Sequence, residues 1–201
     1  MHIRRAEGGD SGRMANLVRR SFRGDVTWGD SPLVVAQVLQ AQFSLYLNLR
    51  ARLAGQPRKG DALFVATQDA WGDAILGCVD MRLICYDEVN SQCLPAVPAT
   101  AAQRPHTFRM RPYLSNLSVH PRARRRGIAT ALVEHCEAQA LHWGLDEIVL
   151  EVMEPNEAAL SLYKKMGYAI EHCDEQGEMD VRGRWCFHTC AAPQLRLVKY
   201  L

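Results

Sequence analysis

No run of 18 consecutive apolar residues occurs in the chain, and no charged start is followed by an apolar core, so neither a helical membrane span nor a secretory leader is expected. Charge of one sign is equally scarce. Lys and Arg number 24 against 22 Asp and Glu, a formal net charge of +2, which is too small to imply a nucleic-acid-binding surface. Aromatics make up 7% of the chain and do not interleave with the arginines, which removes the stacking platform of a single-strand binder. Paired cysteine spacing is missing too. Cys78, Cys85, Cys93, Cys136, Cys173, Cys186 and Cys190 form an odd, scattered set, which points to reduced thiols in an intracellular compartment. Cys186, His188 and Cys190, with His172 and Cys173 nearby, lack the spacing of a zinc finger, and no metal is expected. No internal repeat or composition shift divides the chain, and with 48% hydrophobic residues 1–201 reads as one α/β domain able to bury an adequate core.

The periodicities order the elements. His2 to Arg5 reads as a short strand, and Asp10-Ser11 caps a helix carrying Met14, Leu17, Val18 and Phe22 that stops at Gly24. Asp30-Ser31-Pro32 opens a second helix whose stripe of Val35, Val38, Leu39, Phe43, Leu47 and Leu53 reads as core or as a face for a second copy in a homodimer. Leu63 to Thr67 and Ile75 to Leu83 read as a hairpin turning at Trp71-Gly72-Asp73. Residues 86–112 hold four prolines and no periodicity, and read as an irregular insertion able to fold over a cleft or extend into solvent. Beyond residue 168, Ala169 to Glu171 and Gln194 to Lys199 read as strands separated by a loop holding Gly177, Gly183 and Trp185. In that loop Asp174, Glu175, Glu178 and Asp180 read as solvated.

The densest information lies between Tyr113 and Tyr168. Leu117 and Val119 alternate along a strand that ends at His120-Pro121. Ile128, Ala129, Leu132, Val133, Cys136, Ala140 and Trp143 then recur at helical spacing, so a helix starts near Gly127. A helix start offers unpaired N–H groups and partial positive charge, and Gly127 removes the side chain that would keep an anion from them. The turn therefore suits a diphosphate, although Arg122, Arg124, Arg125 and Arg126 taken alone also read as a solvated basic loop. Leu145 to Met153 reads as the next strand, Pro155-Asn156 breaks it, and a short helix from Glu157 to Met166 ends at Gly167.

This order of strand, Arg-x-x-Gly-x-Ala turn, helix, strand, Asn, and a short helix with Leu162-Tyr163 resembles the GCN5-related N-acetyltransferase (GNAT) superfamily. The likeness is to the plastid and cyanobacterial branch, and to the bacterial N-terminal acetyltransferases that modify a ribosomal protein. It implies an α/β GNAT fold, with a mixed central β-sheet splayed at the acetyl-CoA site and flanked by helices. It implies acetyl-CoA as co-substrate and direct transfer of the acetyl group to an amine. By the same resemblance Tyr163 is the general acid at the coenzyme A sulfur and Glu151 the general base, acting directly or through water. Leu117, Ser118 and Val119 would make main-chain contacts to the acetyl and pantetheine groups. Arg124, Arg125, Arg126, Gly127, Ile128, Ala129 and Thr130 would hold the diphosphate and 3′-phosphate, and Asn156 would touch the pantetheine arm. Read from pattern alone, Glu151 is also a solvent-facing strand residue, Tyr163 a core aromatic and Asn116 an edge polar residue that could order a water. The expected acceptors are protein N-terminal α-amines and lysine side chains. The alternatives are a polyamine or antibiotic acetyltransferase and a non-catalytic acyl-CoA-binding module, the latter disfavoured because Glu151 and Tyr163 are both present. The expected setting is intracellular and soluble, in the plastid stroma if a transit peptide has been removed and otherwise in the cytoplasm.

Overall fold

The computed structural model describes the chain except for residues 28, 55–59, 69–73, 88–91, 95–106 and 183–186. The turn at Trp71-Gly72-Asp73, Trp185, Cys186 and most of the expected insertion thus lie outside the described residues.

Strands β1 (His2–Arg5), β2 (Asp61–Thr67), β3 (Ile75–Asp87), β5 (Phe108–Val119), β6 (Glu147–Met153), β7 (Ala169–Asp174) and β10 (Gln194–Tyr200) form a sheet in the order β1-β2-β3-β5-β6-β10-β7. A short β4 (Gln92–Leu94) extends it beside β3. Among the described strands the parallel pairing is β5 with β6, joined through helix α3 (Ile128–His142), and the other neighbours are antiparallel. The sheet is therefore mixed. The expected insertion is shorter than its prolines suggested, because Phe108 to Pro112 continue β5 and pair with Leu83 to Asp87. Pro112 lacks a backbone N–H, and it is accommodated because β5 pairs with β6 only from Tyr113 onward. Among the described residues no helix is long and apolar enough to cross a membrane.

Alternation assigns each face of the sheet. Phe64, Val79, Met81, Leu114, Ile148, Leu150 and Leu197 pack with α3 and with Tyr163 of α4 (Glu157–Lys165). The opposite face carries Leu63, Val65 and Cys78 against α1 (Ser11–Arg23) and α2 (Pro32–Leu53). On that side two readings as core do not hold. Phe22 is 62% exposed, although it shares the stripe of the buried Met14, Leu17 and Val18. The buried face of α2 runs through Val34, Val38 and Leu49, whereas Leu39, Phe43 and Leu47 of the expected stripe point outward. The helix is apolar almost all round, so spacing did not single out one face. Asp10 also differs from its expected role. It is buried, and its carboxylate accepts from Arg4 at 2.7 Å and from the Glu7 N–H at 2.8 Å rather than capping α1. Ser31 does cap α2, accepting from the Val34 N–H.

Charged clamps fix the face that carries α1 and α2. Arg52, near the end of α2, donates to Asp80 at 2.6 and 2.7 Å and to Asp61, tying the helix to β2 and β3. Farther along, Arg111 donates to Glu147 at 3.0 Å and to Glu171 at 2.8 Å, with its guanidinium 4.9 Å from the Tyr86 ring centre. Arg111 and Glu147 are both almost fully buried. Removing one partner of such a pair strands the other, so Arg111→Met should destabilise the fold by about 3 kcal/mol, read as a lower urea midpoint. The figure sits at the low end because Arg109 still reaches Glu147 at 3.1 Å. A loss below about 1 kcal/mol would mean that the Arg111 pair adds no more than a surface ion pair.

The C-terminal loop is a hairpin, which corrects the sequence reading. Strands β8 (Glu178–Arg182) and β9 (Phe187–Ala191) pair with each other as a separate two-stranded sheet. Met179 and Val181 alternate there, but interleaved acids masked the pattern. Gly177 is needed at its base, because a Cβ would lie 2.6 Å from the Ala192 carbonyl oxygen. Asp180 is not simply solvated: it pairs with Arg23 of α1 at 2.5 Å, whose guanidinium lies 4.8 Å from the Phe187 ring centre. The Phe187 N–H donates to Gln37 of α2 at 3.0 Å. The hairpin is thereby tied to both helices.

Candidate functional site

The site begins where β5 meets α3. After Val119, His120 Nδ1 accepts from the Arg122 N–H at 3.3 Å, and Pro121–Ala123 make one 3₁₀ turn. Arg124 Nε donates to the Val119 carbonyl at 3.3 Å, which pulls the turn back over the strand end. Arg125 and Gly127 both adopt left-handed backbone, with φ of 61° and 76°, and Gly127 is the N-cap of α3. Such conformations turn successive N–H groups to one side, and the first N–H groups of α3 have no intrahelical acceptor. A Cβ on Gly127 would meet open space rather than protein. The side chains of Arg122, Arg124, Arg125 and Arg126 are exposed, and none is ion-paired with a carboxylate among the described residues. Spare N–H groups, open space and unpaired cations together fit a polyphosphate.

Beyond this turn the sheet opens. β5 and β6 pair only at Tyr113 with Val149 and Leu114 with Leu150, and part thereafter. A bulge between β3 and β5 accompanies the split, with Asn116 at φ 55° while Cys78 faces Ser118 and Asp80 faces Ser115. The expected contact strand Leu117, Ser118 and Val119 lies just past the bulge. Leu117 and Val119 pack toward α3, and Ser118 is buried on the other face.

Glu151 and Tyr163 stand on opposite faces of this opening. Tyr163 is 6% exposed in the α3 layer, its ring 5.5 Å from that of Tyr168. Burial, helped by the neighbouring Cys136, raises its phenol well above the ordinary range, so it stays protonated. Tyr168 is raised likewise, by burial and by Glu137, to which its hydroxyl donates at 3.1 Å. Glu151 alternates with Val149 onto the α1–α2 side and is not merely solvent-facing. Its carboxylate accepts from Tyr113 at 3.2 Å, from Gln194 at 3.1 Å and from Arg196 at 3.0 Å. Those three partners were not legible in the sequence. Asn156 is exposed and caps α4, its Oδ1 accepting from the Ala159 N–H at 3.2 Å while the amide nitrogen stays available. No cluster of metal-ligating side chains occurs among the described residues.

On the α1–α2 side Asn116 borders a pocket of about 210 Å³ with Val18, Arg19, Phe22, Arg23, Ala41 and Leu45. The pocket thus joins the β5 bulge to α1 and α2, and the β8–β9 hairpin reaches the same two helices.

Comparison with known proteins shows what the chain as a whole resembles. The chain is 37% identical over 68 residues to an acetyltransferase of Pectobacterium atrosepticum, a match covering 34% of this chain and 48% of that protein. It is 34% identical over 80 residues to N-alpha-acetyltransferase 30 of Xenopus laevis, covering 40% of this chain and 29% of that one. The chain thus spans half or less of the curated relatives it matches. Naa20 of Chaetomium thermophilum, solved with a bisubstrate analogue, superposes with a TM-score of 0.65 at 21% identity, covering 100% of this chain and 87% of that one, which speaks for the fold. The model of the acetyltransferase (GNAT) family matches residues 42–168, well over half of the chain, which therefore belongs to that family.

Proposed function

We propose that residues 1–201 act as one acetyl-CoA-dependent N-acetyltransferase domain, passing acetyl directly to protein or peptide N-terminal α-amines best and to accessible lysines second. The observation that carries this reading is the pair Glu151 and Tyr163 on opposite faces of the β5–β6 opening, next to an arginine turn whose N–H groups are spare. Acetyl-CoA supplies an activated acetyl thioester. Arg124 to Thr130 hold its phosphates through backbone N–H and guanidinium groups, and Asn156 offers an amide to the pantetheine. Main-chain N–H groups from Leu117 to Val119 polarise the thioester carbonyl, a contribution of about 3 kcal/mol when such donors are preorganised. Glu151 takes the proton of the attacking amine through an intervening water, since its own oxygens are held by Arg196, Tyr113 and Gln194. Tyr163 gives its proton to the leaving thiolate.

A cysteine relay is disfavoured chemically. Burial pushes the Cys78 thiol up to about 12 and raises Cys136 further, so neither supplies a thiolate near neutrality.

The acceptor preference follows from proton cost. Deprotonating an α-amine of pKa about 8 at pH 7 costs about 1.4 kcal/mol, against about 4.6 kcal/mol for a lysine of pKa about 10.4. One engaged carboxylate serves the first better. The likeness to N-alpha-acetyltransferase 30 supports the α-amine, and the likeness to the plastid and cyanobacterial branch supports lysines in second place. An intracellular setting suits the unpaired cysteines. Mass spectrometry of a peptide library and an amine panel incubated with acetyl-CoA should find peptide α-amines modified first. Faster acetylation of spermidine or an aminoglycoside than of every peptide would overturn the protein-substrate reading and leave the fold and coenzyme standing.

A further inference from the structure

Among the described residues, the buried side-chain polar atoms without a hydrogen-bond partner are Arg19 Nε, Ser115 Oγ and Ser118 Oγ. All three lie on one side of one strand. Ser118 is opposite Cys78, which packs with Met14, Leu17 and Val18 of α1, so it faces that helix. Ser115 is opposite Asp80, whose carboxylate receives Arg52 of α2. Between them Asn116, at φ 55°, borders the pocket that Arg19 and Arg23 also line beside Val18, Phe22, Ala41 and Leu45. The guanidinium of Arg19 is already fixed at its tip, donating to the Gly24 carbonyl at 2.6 Å and to Asn16 at 3.0 Å, which leaves Nε–H over. Among the described residues the other buried side-chain polar atoms are satisfied, which leaves the two serines on β5 just past its last pair with β6, and Arg19 at the adjoining pocket, where a ligand would complete them.

Two nearby carboxylates are not free to meet a cation. Asp80 is taken by Arg52, and Glu151 by Arg196. The place therefore offers hydroxyl oxygens rather than negative charge, and it receives an amine in its neutral form more readily than as ammonium.

We propose that the Ser115 and Ser118 hydroxyls bind the acceptor amine itself, accepting its N–H groups, while the first side chain of an N-terminal substrate fills the pocket of Val18, Phe22, Ala41 and Leu45, whose two arginines, Arg19 and Arg23, are already paired with Asp25 and Asp180. Ser118 was expected to contribute only its main chain, on the coenzyme side. Its side chain serves the opposite face. Arg19 Nε–H meets a substrate acceptor, such as the carbonyl of the first peptide unit. The inference rests on the N-terminal acetyltransferase reading and adds to it a preference for an uncharged, apolar first residue.

Two measurements on the same proteins test it. A hydroxyl that the fold leaves unpaired can be removed without loss, so Ser115→Ala and Ser118→Ala should melt at or above the wild-type temperature. Each should raise the peptide KM about tenfold, the size of one lost hydrogen bond, with the acetyl-CoA KM unchanged. Peptides differing only at the first residue should rank Leu and Val above Asp, and Leu45→Trp should invert Leu against the smaller residues. A lowered melting temperature with unchanged peptide KM would make the hydroxyls structural and overturn the proposal. Unchanged peptide KM in stable variants that still acetylate peptides would overturn it too, while leaving the N-terminal reading intact. If wild type modifies only small amines, that reading fails by itself, and the serine variants assayed with the preferred amine decide separately whether the hydroxyls bind it.

Discussion

Tyr163→Phe is expected to lower turnover by about 10- to 1000-fold while the acetyl-CoA dissociation constant stays within about twofold, the pattern of a lost proton donor. The substitution is a clean one here. The ring is 6% exposed and packs edge-on toward Tyr168, and phenylalanine keeps that packing. The hydroxyl has no hydrogen-bond partner among the described residues, so its removal strands no protein group and the melting temperature should hardly move. Burial and Cys136 raise the phenol above its ordinary range, which keeps the proton in place through the neutral and mildly alkaline range in which an α-amine loses its own. Ionisation of Tyr163 should therefore not limit wild-type activity below about pH 10. Stopped-flow or steady-state kinetics at saturating acetyl-CoA measure the effect. Turnover of the variant within threefold of wild type would move the acid to another group.

The run from β5 to α4 was legible because each boundary has a local chemical cause. Pro121 stops a strand, Gly127 takes left-handed backbone that other residues resist, Asn156 caps a helix and Gly167, at φ 88°, ends one. Other parts lacked such causes. In α2, where most positions are apolar, Val34, Val38 and Leu49 were chosen for burial by packing, and Leu39, Phe43 and Leu47 were not. The partners of Glu151 are farther out of reach of pattern: Gln194 lies 43 residues away and Arg196 45, brought near only by β10 pairing beside β6. The β5–β6 opening is likewise a property of two strands that stop pairing, and no residue in either announces it. The bulge at Asn116 and the unpaired serines around it have no local signal either, being set by how β3 and β5 register against each other.

The arginine turn permits an equally sharp test, because the cost of changing Gly127 to the fold can be separated from its cost to the ligand. Acetyl-CoA at about 100 times its dissociation constant should stabilise wild type by about 2.7 kcal/mol, a melting shift of roughly 5–10 °C for a chain of this size. Gly127 needs its φ of 76°, yet a Cβ there would touch no protein atom within 4 Å. Gly127→Val should therefore pay only backbone strain, about 1–2 kcal/mol, and still fold. Gly127→Asn should pay less, since asparagine tolerates left-handed backbone. Both place a side chain where the N–H groups of α3 open to solvent, and both should abolish the acetyl-CoA shift. The asparagine variant is the decisive one. With wild-type stability and no shift, it locates the phosphates over Gly127, because strain no longer explains the loss. With a full shift, it shows that the space above the turn is not where the phosphates sit, and the exposed arginines from Arg122 to Arg126 revert to a solvated basic loop.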